Sequence, residues 1–378
     1  MKAPVIMQIL PRLDTGGVER GTLDVASALV TAGKCSIVVS SGGTMVRELE
    51  RVGALHIKIP VNSKNPIVML KNANTLTNLI QAHGVDIIHA RSRAPAWSAR
   101  LSANRCKIPF MTTFHGTYNF NNPFKKAYNS IMTKGERVIA ISDFIGQHVR
   151  ENYHTPREKI RVISRGINLD TFNPRLVSAE RIVQLANLWR LNDHRPVIML
   201  PGRLTRWKGQ RVLIEAARIL SRPDVRILIV GDDQGRTRYR TELDNLIRQN
   251  GVEEIIHITG PCQDMAAAYM LADVVVSPST DPEAFGRVAA EALAMGRMVI
   301  ASDHGGARET VEDGKTGWLV PPGDPNALAK ALCHALDMTN ADRENHSRLA
   351  IKHIHENFSK QKMCSATLAV YDELLHSE

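Results

Sequence analysis

The sequence predicts an α/β protein built from two doubly wound parallel sheets. Short apolar runs rich in β-branched residues alternate with amphipathic segments of helix length, which is typical of repeated βαβ units. The chain has 378 residues, and at about 150 residues per domain this length favours two domains. A polar, Pro-containing break separates two such series of elements. Each series is therefore expected to fold as its own Rossmann-like domain.

Seven strands are predicted in the first series and six in the second. The first-series runs are VIMQIL, CSIVVS, HIKIP, DIIHA, PFMTTF, RVIAIS and RVIS. The second-series runs are PVIMLPG, RILIVG, IIHITG, DVVVSPS, MVIAS and WLVPP. Two sheets of this kind, facing each other, would leave a cleft lined by the carboxyl ends of their strands, where such folds bind ligands.

The break between the two series falls within residues 173–196. We therefore expect an N-terminal domain over residues 1–185 and a C-terminal domain over residues 186–357. The last segment, residues 358–378, contains FSKQKMCSATLAVYDELL, whose apolar side chains recur at helical spacing. It is expected to form a helix that packs on another element.

Composition is that of a globular protein, with 43% hydrophobic and 23% charged residues. No run approaches the roughly 18 apolar residues of a membrane-spanning helix, and the opening MKAPVIMQILPRLDTGG does not resemble a secretory signal. The five cysteines are scattered and never in CxxC spacing. They argue against a disulfide framework or a zinc site and favour a reducing compartment, so a cytoplasmic location is expected.

The positive charge is concentrated in one half of the chain. Residues 1–190 contain 26 Lys and Arg against 12 Asp and Glu, a net charge of +14, whereas the remainder carries −4. A basic half could face nucleic acid, an anionic membrane or a phosphorylated acceptor. The alternative is that these charges form ordinary solvated faces.

Two glycine-rich turns follow predicted strands. In LDTGGVE, Gly16 and Gly17 open the first long helix, where glycine admits close backbone approach and the helix N-terminus favours an anion. The spacing is not the GxGxxG of dinucleotide binding, and a plain tight turn is the alternative. In PGRLTRWKGQ, Arg203 and Lys208 stand just past a strand end. A planar guanidinium and a compact ammonium suit the binding of a diphosphate, whereas either cation alone would suit a solvated loop.

A third turn carries two carboxylates, in the stretch EAFGRVAAE. Glu283 and Glu291 flank Phe285 and Gly286. A helix starting near Phe285 or Gly286, with helical spacing throughout, would separate the two glutamates by about 12 Å along its axis. That distance suits one carboxylate on a sugar ring and the other on a ribose, with the intervening amides near the phosphates. A capping glutamate plus a partly buried ion pair is the alternative.

A metal site is not expected. GDDQG at 231–235 follows a strand, and strand-end aspartates commonly serve as turn or cap residues. Because Arg203 and Lys208 already supply positive charge to the predicted diphosphate site, we expect neither a metal nor another cofactor.

Together these motifs resemble the retaining glycosyltransferases of family 4, which have the two-domain GT-B architecture. The E-x7-E element from Glu283 to Glu291 is the most specific feature of that resemblance, which covers essentially the whole chain. The other matching motifs are GG-x-E at Gly16, Gly17 and Glu19, TFHG around His115, IAISDFI, GINLDTF, PGRLTRWKG and ASDHGGARETVEDGKTGWLVPPGD. The resemblance also implies that the closing helix crosses back to the N-terminal domain.

The resemblance implies roles for these residues. Arg203 and Lys208 would neutralise the leaving diphosphate, and Gly17 would approach it from the first domain. Glu283 would position the donor sugar, with help from the amides after Phe285, and Glu291 would hold the ribose. His115 would lie beside the sugar at the reaction centre. One departure is Arg165, which precedes Gly166 where the family often has Asn.

The sequence identifies the acceptor and the donor sugar nucleotide less closely than it identifies the family. The basic clusters RSRAPAWSAR at 91–100 and NPFKKAYNSIMTKGER at 122–137 suit an enzyme peripheral to the inner face of an anionic membrane. They would fit a lipid-linked or phosphorylated glycan acceptor, as in lipopolysaccharide core or envelope polysaccharide synthesis, with a GDP- or UDP-sugar donor. The alternative is a soluble acceptor, with the basic clusters forming an ordinary protein surface. Two other classes are a nucleotide-sugar epimerase and a basic nucleic-acid-binding protein, but aromatic residues make up only 5% of the chain, few for base stacking.

Overall fold

The computed structural model describes residues 3–14, 16–118, 120, 122–235 and 237–376. The chain divides into two compact units, Met1–Gly166 with Lys360–Glu378 and Ile167–Ser359. Each unit contains one sheet whose strand pairings are parallel, and all thirteen predicted strands are present. The predicted α/β class is confirmed. No described helix is long and apolar enough to cross a membrane.

The first unit contains a seven-stranded sheet. Its strands are Val5–Ile9 (β1), Cys35–Ser40 (β2), Leu55–Lys58 (β3), Ile87–Ala90 (β4), Phe110–Phe114 (β5), Arg137–Ala140 (β6) and Ile160–Val162 (β7). The order across the sheet is β3-β2-β1-β4-β5-β6-β7, so the direction of winding reverses between β1 and β4. The carboxyl ends of the two strands at such a switch point form the crevice where ligands bind.

Helices cover this sheet, which explains why β1 is buried along its whole length and, apart from Gln8, apolar rather than alternating. They are Gly17–Thr31 (α1), Val46–Arg51 (α2), Pro66–His83 (α3), Arg93–Cys106 (α4), Pro123–Asn129 (α5), Asp143–Tyr153 (α6) and, from the chain end, Lys360–Leu375. That last helix belongs to the first unit. Its Tyr371 is fully buried and lies 2.7 Å, hydroxyl to Nδ1, from His89 on β4.

The second unit contains a six-stranded sheet. Its strands are Val197–Pro201 (β8), Arg226–Val230 (β9), Ile256–Gly260 (β10), Val274–Ser277 (β11), Met298–Ser302 (β12) and Trp318–Val320 (β13). The order is β10-β9-β8-β11-β12-β13, so the switch point lies between β8 and β11. The surrounding helices are Ala179–Leu188 (α7), Gln210–Leu220 (α8), Thr237–Gln249 (α9), Met265–Leu271 (α10), Arg287–Ala294 (α11), Ala307–Thr310 (α12), Pro325–Leu336 (α13) and Asn340–Asn357 (α14); the final helix, Lys360–Leu375, is α15.

The boundary between the units differs from the predicted one at residue 185. It lies between Gly166 and Ile167, because the segment that follows attaches to the second unit. The Ile167 amide donates to the Phe358 carbonyl at 2.7 Å, and Arg181 on α7 forms a two-pronged ion pair with Asp264 at 2.7 and 2.8 Å. No residue of α7 is buried. Arg181 and Asp264 lie 83 residues apart in the chain, so local composition could not reveal this attachment.

Candidate active site

The carboxyl ends of β8 and β11 bring together two of the predicted site residues. Lys208 ends a single 3-10 turn after β8, and Glu283 lies in the loop after β11. Lys208 Nζ is 2.5 Å from Glu283 Oε1, and the two side chains are only 12% and 13% exposed. Since β8 and β11 flank the switch point of this sheet, the pair lies at its expected ligand-binding edge.

Glu283 uses one oxygen for its protein contacts. Ser279 Oγ donates to the same Oε1 at 2.8 Å, whereas Oε2 has no hydrogen-bond partner within the described part of the chain. The Lys208 ammonium, which has three donors, also lies 4.5 Å from the centre of the Trp207 ring. The pair therefore keeps both an acceptor and donors available to a ligand.

Close backbone approach fixes the loops around this pair. Gly209 has a positive φ of 76°, and a Cβ there would overlap the Pro278 carbonyl, so the loops after β8 and β11 touch through their main chains. In the loop after β12, the Gly306 amide donates to the Glu283 carbonyl at 2.7 Å, and a Cβ at Gly306 would overlap the backbone of Phe285. The geometry of the pair is thus set by backbone packing before any ligand arrives.

Arg203 shares a loop with Lys208 but is differently placed. Its carbonyl accepts from the Gln210 side chain at 3.0 Å, while its guanidinium is exposed and has no ion pair or hydrogen bond among the residues described. The predicted pair of cations therefore consists of one ammonium held by Glu283 and one guanidinium free to bind an anion.

The stretch EAFGRVAAE is not helical throughout. The sequence predicted a start at Phe285 or Gly286, but α11 begins at Arg287, because Gly286 adopts the left-handed conformation with φ 84° as its N-cap. The predicted separation of about 12 Å along one axis is therefore wrong. Only the step from Arg287 to Glu291 follows the helical rise, about 6 Å.

Glu291 is buried and already bonded within the protein. Its Oε1 accepts from Arg287 Nε at 2.6 Å and its Oε2 from the Tyr269 hydroxyl at 3.0 Å. Burial, together with the neighbouring Glu291, keeps the pKa of Tyr269 well above its ordinary value, so the hydroxyl remains a donor. Phe285 is also buried, with its ring 5.7 Å from that of Phe358. The contacts of Glu291 in this structure are thus those of a buried ion pair, the alternative given above to a ribose-binding role.

In the first unit, Gly16 and Gly17 lie where the sequence predicted them. Gly17 is the first residue of α1, and Gly16 is its extended N-cap, after the loop that follows the central strand β1. The Glu19 carboxylate folds back against Gly16, so that a Cβ at Gly16 would overlap it. This carboxylate shares the favourable helix N-terminus that the prediction assigned to a phosphate.

His115 lies directly after β5 and contacts Arg165. Arg165 Nη2 is 3.0 Å from His115 Nδ1, and because a guanidinium only donates, Nδ1 accepts and the ring proton resides on Nε2. His115 Nε2 is buried without a partner among the described residues. Burial, and then the charge of Arg165, hold the pKa of His115 well below its ordinary value. The ring is thus neutral and offers an N–H donor rather than a base at Nε2.

Sequence reasoning missed the roles of Arg165 and Arg91. Arg165 was recognised only as a departure from the family pattern. Arg91 was counted in a basic surface cluster, which is wrong: it is buried at the end of β4, and its guanidinium donates to Gln8 Oε1 at 3.0 Å. A signal was present, since Arg91 follows a strand directly and Gln8 interrupts an otherwise apolar strand.

The aspartates of GDDQG act as turn residues. Asp232 Oδ1 accepts from the Gln234 amide and Asp233 Oδ1 from the Gly235 amide, both at 2.8 Å. In the part of the chain that the structure describes, no group of three or more His, Cys, Asp or Glu side chains could hold a metal ion. These aspartates therefore fix the turn after β9, and the absence of a metal stays a prediction.

The chain is similar to glycosyltransferases over both units. Residues 15–171 match the family described as Glycosyltransferase Family 4, and residues 195–338 match Glycosyl transferases group 1. A D-inositol 3-phosphate glycosyltransferase of Xylanimonas cellulosilytica is 32% identical over 303 residues, which cover 76% of this chain and 71% of that protein. The protein is thus a sugar-transferring enzyme by class. It belongs to glycosyltransferase family 4.

Solved structures agree with this assignment. The crystal structure of a glycosyltransferase from Rickettsia africae ESF-5 is 40% identical, with a TM-score of 0.93 and full coverage of both chains. The UDP-glucose complex of Anabaena Alr3699/HepE has a TM-score of 0.83 over 98% of this chain and 99% of that one, at 22% identity. The second likeness shows the fold alone. The predicted GT-B fold class is confirmed.

Proposed function

We propose that the enzyme transfers a sugar, with retention of anomeric configuration, from a nucleoside diphosphate sugar to a phosphorylated or lipid-linked glycan. The observation that carries the donor assignment is the Lys208–Glu283 pair at the switch point of the second sheet. Arg203, on the loop of Lys208, has no ion pair among the described residues. This arrangement suits a ligand that has hydroxyls at one end and a diphosphate at the other.

The reaction follows from where charge develops. As the bond from the anomeric carbon to the diphosphate oxygen breaks, Arg203 and Lys208 stabilise the growing negative charge. Lys208 does so from a position that Glu283 already holds, which lowers the barrier with little reorganisation. Glu283 Oε2 accepts from sugar hydroxyls. The acceptor hydroxyl forms the new bond on the same face and gives its proton to a phosphate oxygen of the leaving group. His115 beside the sugar and Glu291 on the ribose stay predictions from the family resemblance.

UDP-glucose bound to the Anabaena protein makes UDP our first choice of donor nucleotide, ahead of GDP. A phosphorylated acceptor is supported by the basic first half of the chain and by the inositol phosphate named for the Xylanimonas relative. We place the reaction in the cytoplasm, at the inner face of a membrane, in lipopolysaccharide core or envelope polysaccharide synthesis. No metal is required in this proposal, since Arg203 and Lys208 supply the charge.

Nucleotide binding tests the donor assignment. In calorimetric titration, we expect UDP to bind with the same affinity whether or not EDTA is present. In a thermal-shift measurement, UDP at 100 times its dissociation constant should stabilise the protein by about 2.7 kcal/mol. If GDP and not UDP gave this stabilisation, the donor nucleotide would be GDP and the proposed donor site would stand. Failure of UDP, GDP and ADP alike would reject the proposal, and binding abolished by EDTA would reject its metal-free form. An epimerase would instead convert the donor sugar in the absence of any acceptor.

A further inference from the structure

An apolar groove lies on the first unit between α3, α4 and α5. Its volume is about 570 Å³, and its apolar lining consists of Met69, Leu70, Trp97, Leu101, Tyr128 and Ile131. Trp97 and Tyr128 stack with ring centres 6.2 Å apart, which joins α4 to α5. The Tyr128 hydroxyl is buried and has no partner among the described residues. The groove therefore combines apolar walls with an unused polar group.

Large apolar side chains project from the same elements into solvent. Phe124 is 87% exposed and Ile67 is 66% exposed. Phe124 precedes Tyr128 by four residues on α5, and Ile67 precedes Leu70 by three on α3, so each shares a helix face with a residue of the groove. Scattered exposed apolar residues are ordinary, but a contiguous set beside an apolar groove marks an interaction surface.

The chain segment that forms this groove is strongly basic. Residues 51–135 contain twelve Lys and Arg, of which Arg91 is buried, and Asp86 is their only acidic residue. The Asp86 carboxylate accepts from the Val5 amide at 2.7 Å. Lys64 and Arg100 line the groove itself, and Lys125 is exposed next to Phe124. A partner of this surface must therefore be anionic as well as apolar.

We propose that this surface docks the enzyme on an anionic phospholipid bilayer, with apolar side chains inserted among the acyl chains. We call it the amphipathic face, defined by Ile67, Leu70, Trp97, Phe124, Lys64, Arg100 and Lys125. Cations at the headgroup level and apolar residues below it are the arrangement that binds peripheral proteins to anionic leaflets. Nucleic acid would use the cations but would leave exposed Ile67 and Leu70 unexplained. The inference rests on the proposed function only in that a membrane presents the acceptor.

Vesicle sedimentation tests the amphipathic face. The full chain is mixed with vesicles of phosphatidylcholine alone, or of phosphatidylcholine with phosphatidylglycerol, and we expect binding only to the second. The double variant Leu70→Ser/Phe124→Ser should lower the binding constant at least about tenfold through lost apolar burial. Lys64→Glu/Lys125→Glu should lower it at least about 25-fold, since each near-surface cation contributes about fivefold.

Matched controls lie in the second unit. Leu176→Ser/Leu188→Ser removes two exposed leucines, and Lys315→Glu/Lys330→Glu reverses two exposed lysines; both should bind vesicles as the parent does. Equal binding to neutral and anionic vesicles, or equal loss in test and control variants, would overturn the inference. Binding to single-stranded RNA, with none to vesicles, would assign the amphipathic face to nucleic acid instead.

The same preparations are titrated with UDP, so that two failures can be told apart. UDP binding without vesicle binding overturns the amphipathic face and leaves the proposed function standing. If the protein binds vesicles but binds none of the nucleotides, the result supports the amphipathic face and rejects the proposed function.

Discussion

The two sheets carry chemically different groups at equivalent places. At the switch point of the second sheet, the charges of Lys208 and Glu283 are opposite and in contact. At that of the first sheet, the buried cation Arg91 is bonded to the neutral Gln8 and has no ion pair among the described residues. Nearby, His115 is bonded to a second cation, Arg165. The Lys208–Glu283 pair is thus electrically compensated, whereas Arg91 and Arg165 are bonded to neutral groups.

This difference shows how the same architecture can serve two purposes. A compensated pair exchanges its internal contact for ligand contacts, so it suits a substrate with both hydroxyls and an anionic group. His115 Nε2–H has no partner among the described residues, and the neighbouring Arg165 only donates, so this place favours a ligand that supplies lone pairs. The burial of His115 is tolerated because its neutral form is favoured.

The largest effect is expected from removing the acid of the compensated pair. Glu283→Gln keeps the shape and the Ser279 contact but deletes the charge, so we expect the transfer rate to fall about 10²–10³-fold. UDP affinity should not fall, because Lys208 loses its competitor. Steady-state kinetics and UDP titration measure both, with the exposed Glu253→Gln as the control. An equal loss of UDP binding would mean that Glu283 only supports the loop.

Replacing Lys208 and replacing Arg203 should have different effects on the stability of the protein. Lys208→Met should weaken UDP binding about 10–100-fold, through loss of charged hydrogen bonds worth about 1.5–3 kcal/mol. It should also lower the free energy of unfolding, because Glu283 is left half-buried and unpaired. Arg203→Gln should weaken UDP binding similarly but leave thermal stability unchanged, since the guanidinium has no described partner. Identical stability losses in the two variants would contradict the distinction between a paired and a free cation.

The smallest effect is expected from replacing Arg165, which lies near the carboxyl edge of the first sheet. Arg165→Asn removes a cation that helps to keep His115 neutral, so the pKa of His115 should rise and the acidic limb of kcat/KM should move to higher pH. The shift should be partial, because burial is the larger cause of the lowered pKa and remains in the variant. Activity should therefore fall on the acidic side of the profile and change little on the alkaline side.

Arg165→Lys is the matched control, because it retains the charge and should retain the acidic limb. An equal loss of activity at every pH in both variants would indicate that Arg165 holds the backbone rather than the state of His115.

Much of the fold and part of the candidate site could be predicted from sequence. The thirteen strands were found because a parallel sheet covered on both faces requires apolar runs that local composition reveals. Lys208 and Glu283 were recognised because each follows a strand. The start of α11 was misplaced since the left-handed Gly286 interrupts a stretch whose composition is helical. Arg91 was assigned to the surface because its burial depends on Gln8, a residue of another strand.

By itself, the sequence determined which segments are strands, which strand ends carry charge and which family the motifs resemble. These are properties of short stretches, fixed by side-chain size, polarity and spacing. Only the tertiary structure decided that Lys208 contacts Glu283, that Glu291 is already bonded to Arg287 and Tyr269, and that Arg165 sets the proton of His115. Except for the bond between Arg287 and Glu291 within α11, those contacts join residues 22 to 75 positions apart, and strand order and backbone packing fix their distances.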